Sequence, residues 1–401
     1  MGVLLTTMNN WLIFLPPLIS LAGGFWVFPY ILRIAKAHNL TDVPDERKLQ
    51  QRPMPVLGGA AVFFGFVVGI FSAVALGIPG LGGVLPVLLG GSLVLYVGII
   101  DDMLKLDYRL RLLLESVTLL GLVYGSGMCV DSLHGLWGVG DFSWWVGVPF
   151  TVFGCVGIIN AYNMVDGVNG LSGGLCVFCS LLFGSFFWKA GETGDALLAF
   201  CFAAALVPFL LHNVFGKRSR MFVGDGGTLV MGLLVSWFVI RVMNHDSVVS
   251  GLPSAGRGLC YVAMLLSMAA VPVTDTLRVM LGRLLRGVSP FRADKTHLHH
   301  AFIRLGVSHS VTSLVEILIN AVIFLFWYVS YKAGAPVDLQ FWLTVAVCLL
   351  LVAAPYPVLD WIERSRPETW ARLKRLAART HFGQSAWWLR LQAWLDSGEE
   401  D

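Results

Sequence analysis

The 401-residue chain is 56% hydrophobic and 13% charged, and its mean hydropathy is +0.74. Because soluble domains carry about 25% charged residues, this composition excludes a soluble globular protein and a disordered one. The net charge of +3 is too small to indicate nucleic-acid binding.

Apolar runs of the length that a ~30 Å hydrocarbon core requires recur along the chain. They predict an all-α polytopic integral membrane protein with about eleven transmembrane helices. The predicted spans cover residues 11–32, 57–78, 84–100, 110–127, 144–160, 171–189, 196–214, 222–243, 258–282, 311–331 and 339–359.

The distribution of basic residues predicts the orientation. With the N-terminus outside, 24 of the 28 Lys and Arg residues fall in cytoplasmic segments, as the positive-inside rule requires. We therefore expect a transmembrane domain over 1–360 and a cytoplasmic basic amphipathic tail over 361–401. The tail either lies on the inner membrane surface or packs on cytoplasmic loops. Because it carries no motif, we expect catalysis to survive truncation near residue 361.

Acidic residues collect at the predicted cytoplasmic edge, next to distinctive motifs. Adjacent carboxylates at a dry membrane edge repel each other, and a divalent cation removes that conflict. An all-oxygen ligand set favours Mg²⁺ or Mn²⁺, and Mg²⁺ commonly shares its shell with substrate phosphates. The acids concerned are Asp42, Asp45, Asp101, Asp102, Asp166, Asp225, Asp275 and Asp294.

Basic residues and histidines on the same edge indicate a phosphorylated substrate. Lys48, Arg109, Arg111 and Arg292 could neutralise phosphate oxygens. The cluster His297-Leu298-His299-His300 has two interpretations, zinc ligation or contact with phosphate and sugar. The neighbouring Arg292, Asp294 and Lys295 favour phosphate contact.

Five motifs occur in order along these loops: DVPDERK…PMPVLGG, GIIDDMLKL, INAYNMVDGVNGL, FVGDGGT and SPFRADKTHLHH. On these motifs, the chain resembles the polyprenyl-phosphate N-acetylhexosamine-1-phosphate transferases, in particular the undecaprenyl-phosphate GlcNAc-1-phosphate transferase-like branch. The resemblance implies that a polyprenyl phosphate attacks the β-phosphorus of a UDP-N-acetylhexosamine, which releases UMP. It also implies a Mg²⁺ cofactor, with Mn²⁺ as a substitute.

The resemblance also implies roles for individual residues. Asp101 and Asp102 would be catalytic, with Asp101 orienting or deprotonating the lipid phosphate. Asp225, Asn163 and Asp102 would hold the metal. The implied substrate-binding residues are Lys48, Arg111, Asn160, Asp166, Asn169, Arg292, Asp294, His297, His299 and His300.

Three positions depart from the family pattern. Gln50 stands where the first loop of the family has a histidine, so a ligand role there is in doubt. Asn169 replaces an aspartate, which favours a uracil contact over a metal contact. Arg111 replaces a lysine and keeps the charge but not the geometry.

Other functions compete with this one. The related phospho-MurNAc-pentapeptide transferase of peptidoglycan synthesis fits less well, because PMPVLGG and HLHHAF differ from its motifs. A secondary transporter would need ionisable residues in mid-span and inverted repeats, and an inactive scaffold would not need these acids. We expect a multi-pass protein of the bacterial inner membrane that begins cell-surface glycan synthesis, such as lipopolysaccharide O-antigen or other cell-wall polymers. Its expected partners are the two substrates and the bilayer, without nucleic acid and with a homodimer left open.

Overall fold

A computed structural model describes residues 12–42, 53–244, 258–292, 295–383 and 385–399. In these ranges the chain is helical apart from short connections and one small antiparallel pair, β1 (Thr41–Asp42) with β2 (Met54–Pro55). The helices are α1 (Leu15–Ala37), α2 (Gly58–Ala75), α3 (Val84–Leu104), α4 (Tyr108–Ser126), α5 (Trp144–Met164), α6 (Leu171–Ala190), α7 (Thr193–Phe215), α8 (Gly224–Met243), α9 (Tyr261–Met268), α10 (Ala270–Leu285), α11 (Leu298–Leu305), α12 (His309–Lys332), α13 (Val337–Cys348), α14 (Pro355–Ser365), α15 (Pro367–Ala377) and α16 (Ala386–Asp396).

Nine helical segments among the described residues are long and apolar enough to cross a bilayer, and the bent pair α9–α10 is a tenth candidate. The all-α polytopic membrane fold predicted from the sequence is therefore confirmed. Ten of the eleven predicted spans coincide with these candidates. The remaining one, 110–127, corresponds to the helix α4, whose first turns carry Arg109, Arg111 and Glu115.

The predicted span 258–282 differs in shape from a single helix. It breaks at Ala269, and the axes of α9 and α10 form an angle of 87°. Pro272 lacks an N–H group for the helical ladder, and Asn320 of α12 binds the backbone groups that the break leaves without partners. Its Oδ1 accepts from the Val271 N–H at 2.9 Å, and its Nδ2 donates to the Met268 carbonyl at 2.9 Å.

The helix α8 forms the centre of the bundle, and nearly all of its residues are buried. Glycines allow neighbouring helices to approach its first turn closely. A Cβ atom on Gly59 of α2 would overlap Gly227, and one on Gly98 of α3 would overlap Gly226. This close packing brings the end of α3 and the start of α2 against the residues that open α8.

The described parts of the motifs lie at one end of the bundle, which we call the motif face. It comprises the ends of α1, α3, α5 and α7 and the starts of α2, α4, α6 and α8. Backbone hydrogen bonds join its first loop to the chain before α8: the Phe222 N–H donates to the Pro55 carbonyl at 2.8 Å, and the Gly59 N–H donates to the Val223 carbonyl at 2.7 Å. Two of the five motifs are therefore in direct contact.

The chain after residue 366 packs back onto the bundle. Trp370 and Ala377 of α15 form a small buried cluster with Leu305 of α11, and α16 packs against α7. These contacts show the tail packed on helices of the protein, and its position on a membrane surface, the other predicted alternative, stays a prediction.

Candidate functional site

The paired aspartates lie in the last turn of α3. Lys105, in a left-handed conformation (φ 52°), ends the helix and turns the chain back. Asp101 is buried, and its Oδ1 accepts a hydrogen bond from the Leu106 N–H at 2.8 Å. The Asp102 Oδ2 accepts from the Asp225 N–H at 2.9 Å, so it caps the start of α8. The acidic ends of α3 and α8, more than a hundred residues apart in sequence, are thus joined directly.

Asp225 occupies the first turn of α8, after Gly224 in a positive-φ conformation (φ 73°). The Asn163 Nδ2 donates to the Asp225 Oδ1 at 2.7 Å and to the Thr228 Oγ1 at 2.9 Å. The Asp225 side chain keeps 35% of its surface exposed. It is therefore fixed on one side by α5 and open to solutes on the other.

Arg111 of α4 links the carboxylates. Its Nη1 lies 3.1 Å from the Asp101 Oδ2 and 3.9 Å from the Asp225 Oδ2, and its Nη2 donates to the Asn160 Oδ1 at 3.2 Å. The sequence suggested that replacing lysine by arginine changes the geometry here. The planar guanidinium contacts α3, α5 and α8 at once, which the single ammonium of a lysine does less well.

Glu115 is a member of this cluster that the sequence did not indicate. It is fully buried, its Oε2 accepts from the Asn160 Nδ2 at 2.7 Å, and its Oε1 lies 3.5 Å from the Arg111 Nε. Its spacing of four residues from Arg111 places both on one face of α4. That spacing is the signal by which sequence analysis could have found it.

The segment Asp166-Gly167-Val168-Asn169-Gly170 connects α5 to α6. Desolvation by the surrounding protein atoms raises the pKa of Asp166 to about 6, although the side chain is exposed on one side; a hydrogen bond from the Ser172 Oγ at 2.5 Å opposes this shift, and the charge of Asp225 adds to it. The Asn169 carbonyl accepts from the Ser313 Oγ at 2.7 Å. The segment is thus held by α6 and α12.

Asn213, near the end of α7, is a second buried residue that the sequence did not indicate. Its Oδ1 accepts from the Gly170 N–H at 2.7 Å, and its Nδ2 donates to the Met221 carbonyl at 2.9 Å. One amide therefore couples the segment of Asp166 to the chain that leads into Asp225. A lone asparagine at the end of an apolar run carried no motif, so only the fold reveals this function.

Asp275 of α10 anchors the histidine cluster. Its Oδ2 lies 2.8 Å from the His297 Nδ1, its Oδ1 lies 2.6 Å from the Arg278 Nη2, and it accepts from the Leu298 N–H at 3.2 Å. The sequence placed Asp275 only among the acids of this edge. Here it caps α11 and fixes the orientation of the His297 ring.

The remaining histidines contact the Asp166 segment. The ring centroids of His299 and His300 are 4.3 Å apart, and a Cβ on Gly167 would overlap the His299 Nε2. Burial, reinforced by His300 and His297, lowers the pKa of His299 well below its ordinary value. His299 is therefore neutral at physiological pH. In the described ranges, no three His, Cys, Asp or Glu side chains are grouped so that they could hold a metal ion.

One predicted site residue that the structure describes, Arg292, does not join this network: it is exposed, and its N–H donates to the Ser289 carbonyl at 3.1 Å. The predicted site residues Lys48 and Asp294 lie outside the described residues.

A cavity of about 200 Å³ adjoins the acidic cluster, between the first loop and the end of α3. Asp102, Asp42, Thr41, Ile99 and Met103 contribute to its lining. It has both polar and apolar walls, which suits a molecule with a charged head and an apolar chain.

The chain is similar in sequence to one protein family and to several bacterial enzymes. The model of the family described as glycosyl transferase family 4 matches residues 84–243. The chain is 30% identical over 282 residues to the undecaprenyl-phosphate alpha-N-acetylglucosaminyl 1-phosphate transferase of Escherichia coli strain K12, covering 68% of this chain and 72% of that protein. The protein of the same name from Salmonella typhi is 30% identical over 300 residues, with 73% and 77% covered. That of Yersinia pestis is 29% identical over 281 residues, with 68% and 72% covered.

Proposed function

The chain belongs to glycosyl transferase family 4, and on that basis we propose that it transfers N-acetylglucosamine 1-phosphate from UDP-N-acetylglucosamine to undecaprenyl phosphate. A non-bridging oxygen of the lipid phosphate attacks the β-phosphorus of the nucleotide. The bond from that phosphorus to the bridging oxygen breaks, and UMP leaves with the bridging oxygen. The product is undecaprenyl-diphosphate-N-acetylglucosamine.

The observation that carries this proposal is one cluster joined by hydrogen bonds and ion pairs. It contains Asp101, Asp102, Arg111, Asn163 and Asp225, from four helices and three of the sequence motifs. Phosphoryl transfer depends mainly on positioning and on charge stabilisation, which such a cluster provides. A transporter with a midplane site would not need its charged groups gathered at one end of the bundle.

Asp101 positions the lipid phosphate in this proposal and does not act as a base. Both of its carboxylate oxygens already accept hydrogen bonds, one from the Leu106 N–H and one from Arg111. The lipid phosphate has a second pKa near ~6, so it is largely dianionic at neutral pH and needs no deprotonation. The Arg111 guanidinium lies where it can neutralise phosphate oxygens.

The oxygen donors at the start of α8 fit a magnesium ion. Asp225, Asn163 and Asp102 would hold it, because Asp225 is hydrogen-bonded to both of the others, through its side chain to Asn163 and through its N–H to Asp102, and is partly exposed. Mg²⁺ commonly takes one or two carboxylates and completes its shell with phosphate oxygens and water. When bound, the ion would neutralise charge on the diphosphate. Around Arg111, three carboxylates face a single guanidinium, and that excess negative charge also favours a cation.

The nucleotide would lie along the Asp166–Gly170 segment, with Asn169 at the uracil edge and His297, His299 and His300 next to the diphosphate and sugar. The contact of His299 with Gly167 brings these two groups of residues together. Asp166, with Asn213 behind it, would orient the donor.

The concentration of basic residues at the motif face supports a cytoplasmic location for this face. We therefore place the protein in the bacterial inner membrane, with its N-terminus outside. In that position it would catalyse the first membrane step of a cell-surface glycan, for which lipopolysaccharide O-antigen and cell-wall polymers remain our candidates.

The test uses the purified full-length protein with undecaprenyl phosphate, a panel of UDP-sugars and Mg²⁺, and it measures UMP and the lipid product. We expect UMP release with UDP-N-acetylglucosamine and its loss when EDTA removes the metal. Release only with UDP-MurNAc-pentapeptide would replace the proposed substrate by that of peptidoglycan synthesis. No release with any donor would contradict the function, and turnover in EDTA would contradict the metal.

A further inference from the structure

The last helix of the chain is attached to the loop that leads into Asp225. The Asp396 Oδ1 accepts hydrogen bonds from the backbone N–H groups of Arg218 at 3.1 Å and Ser219 at 3.0 Å, and from the Ser219 Oγ at 2.7 Å. The Lys217 N–H lies 3.2 Å from the same oxygen. Three consecutive backbone amides and one hydroxyl therefore bind a single carboxylate.

This binding is electrostatically favourable. Successive N–H groups that converge on one point form a concave anion site, and Lys217 and Arg218 add positive charge to it. Partial burial acts to raise the pKa of Asp396, but the hydrogen bonds from Ser219, Arg218 and Lys217 outweigh it and hold that pKa below its ordinary value. The carboxylate is therefore ionised across the physiological pH range, and the attachment does not depend on pH there.

Aromatic contacts support the same attachment. The ring of Phe215, at the end of α7, lies 4.6 Å from that of Trp388 and 6.0 Å from that of Trp387. Trp394 contacts Phe25 of α1 edge-on, with the centroids 6.4 Å apart. The helix α16 is thus held by α1 and α7, and Asp396 at its end is placed on the 216–223 loop.

The 216–223 loop is short and its far end is part of the candidate site. The Met221 carbonyl is held by Asn213, and Phe222 pairs with Pro55 of the first loop. The next turn carries Asp225, whose N–H binds Asp102. Residues 217–219 are therefore only a few positions, along the chain, from the residues that face the diphosphate. A displacement of this loop would reach those residues.

The tail also contacts the chain next to the histidine cluster. The Ser308 N–H donates to the Thr380 Oγ1 at 3.0 Å, and the Ser308 Oγ donates to the Thr380 carbonyl at 2.8 Å. Ser308 lies just after α11, the helix that begins with the histidine cluster. The tail thus connects the histidine helix to the loop before Asp225, two regions that are far apart in sequence.

We propose that Asp396 is a positioning residue for the donor site, which it maintains by fixing the 216–223 loop against the tail. This proposal rests on the proposed function. Asp396 contacts neither substrate and acts only through the backbone of residues 217–219. The sequence led us to expect an active enzyme after truncation near residue 361, and these contacts lead to the opposite expectation.

The test compares two variants with a matched control in the full-length chain. Asp396→Ala removes the carboxylate, and Asp396→Asn keeps an oxygen acceptor without the charge. Glu368→Gln, at an exposed tail carboxylate with no hydrogen bond among the described residues, is the control. Hydrogen exchange of the peptide that covers 216–223 is measured together with kcat and with KM for each substrate.

For Asp396→Ala we expect faster exchange in that peptide and a KM for the UDP-sugar raised about tenfold, the effect of one charge-assisted hydrogen bond. The KM for undecaprenyl phosphate should change much less, Asp396→Asn should be intermediate, and Glu368→Gln should match the wild type. If Asp396→Ala does not fold, Asp396→Asn supplies the same comparison.

Two results would overturn this role. Faster hydrogen exchange with unchanged kcat and KM would show that the contact only stabilises the fold. An equal loss of kcat/KM for both substrates would show a general loss of folded enzyme. Both results require an active wild type. A wild type that releases no UMP would instead refute the proposed function.

Discussion

Two largely buried arginines lie at opposite ends of the bundle, and they differ in the balance of positive and negative charge around them. At the end away from the motif face, the Arg241 Nε meets the Asp195 Oδ2 at 2.7 Å, and its Nη2 meets the Glu192 Oε2 at 3.0 Å. The Trp237 Nε1 donates to the other oxygen of Asp195 at 3.0 Å. Each charged group of this cluster has a partner at hydrogen-bonding distance.

At the motif face, Arg111 is surrounded by more carboxylates than it can neutralise. Asp101, Glu115 and Asp225 all lie within 4 Å of it, at 3.1, 3.5 and 3.9 Å, and Asp102 binds the backbone of Asp225. The Arg111 Nε and the Glu115 Oε1 are buried without a hydrogen-bond partner among the described residues. These two atoms form an ion pair at 3.5 Å, but three carboxylates lie around one guanidinium, and a bound cation would balance that charge.

The comparison teaches that residue type alone does not distinguish the two clusters. Both combine an arginine with acids at a helix end, and both join helices distant in sequence. The Arg241 cluster closes on itself and stabilises the fold. The Arg111 cluster has a surplus of negative charge and a partly exposed Asp225, which are properties of a binding site.

The largest expected effect follows from neutralising the exposed acid of the Arg111 cluster. Asp225→Asn removes the charge that we assign to metal binding, and the amide keeps the size of the side chain. We expect UMP release to fall at least ~100-fold, the scale for loss of a group that stabilises charge in a transition state. The thermal unfolding midpoint of the purified variant should stay near that of the wild type. Near-normal activity would contradict this assignment.

The matched change at the other end should affect stability alone. Asp195→Asn leaves Arg241 with one carboxylate, and loss of a partner from a buried ion pair costs about 3 kcal/mol. We expect a lower unfolding midpoint and an unchanged kcat below it, measured with the same assay. A variant that keeps its stability but loses kcat would break the distinction between the two clusters.

A smaller effect concerns the pH dependence of the motif face. The pKa of Asp166 is about 6 because desolvation by the surrounding protein raises it, and the hydrogen bond from Ser172 limits that rise. Protonation below this pH removes the carboxylate, so kcat/KM for the UDP-sugar should fall as pH decreases through 6. Ser172→Ala removes the hydrogen bond to the ionised form. It should raise the pKa and move this limb of the profile to higher pH by roughly half a unit.

The lipid phosphate also titrates near ~6, so the wild-type profile contains both groups. Only the contribution of Asp166 should move in Ser172→Ala, and Ser185→Ala, in the same helix but bonded to the Leu181 carbonyl, is the control. An unshifted profile in Ser172→Ala would show that Asp166 is not the titrating group.

Much of the site could be predicted because it lies where helices end. The apolar runs place alternate loops on one side of a bilayer, so Asp101, Asp166 and Asp225 were expected to share a face before any contact was known. Their partners could not be predicted in the same way. Asn213 and Asp396 are isolated polar residues without a motif, and they bind groups that are distant along the chain.

The membrane class, most of the spans and the edge at which the acids collect can be read from the order of residues, because hydropathy and charge act locally along the chain. The pairing of each carboxylate with its arginine, the break of the span at Ala269 and the attachment of the tail follow only from the folded chain. Those outcomes depend on helix packing. Glycines such as Gly98 and Gly226 set how closely helices approach, and each buried polar group then takes the partner that this packing brings within reach.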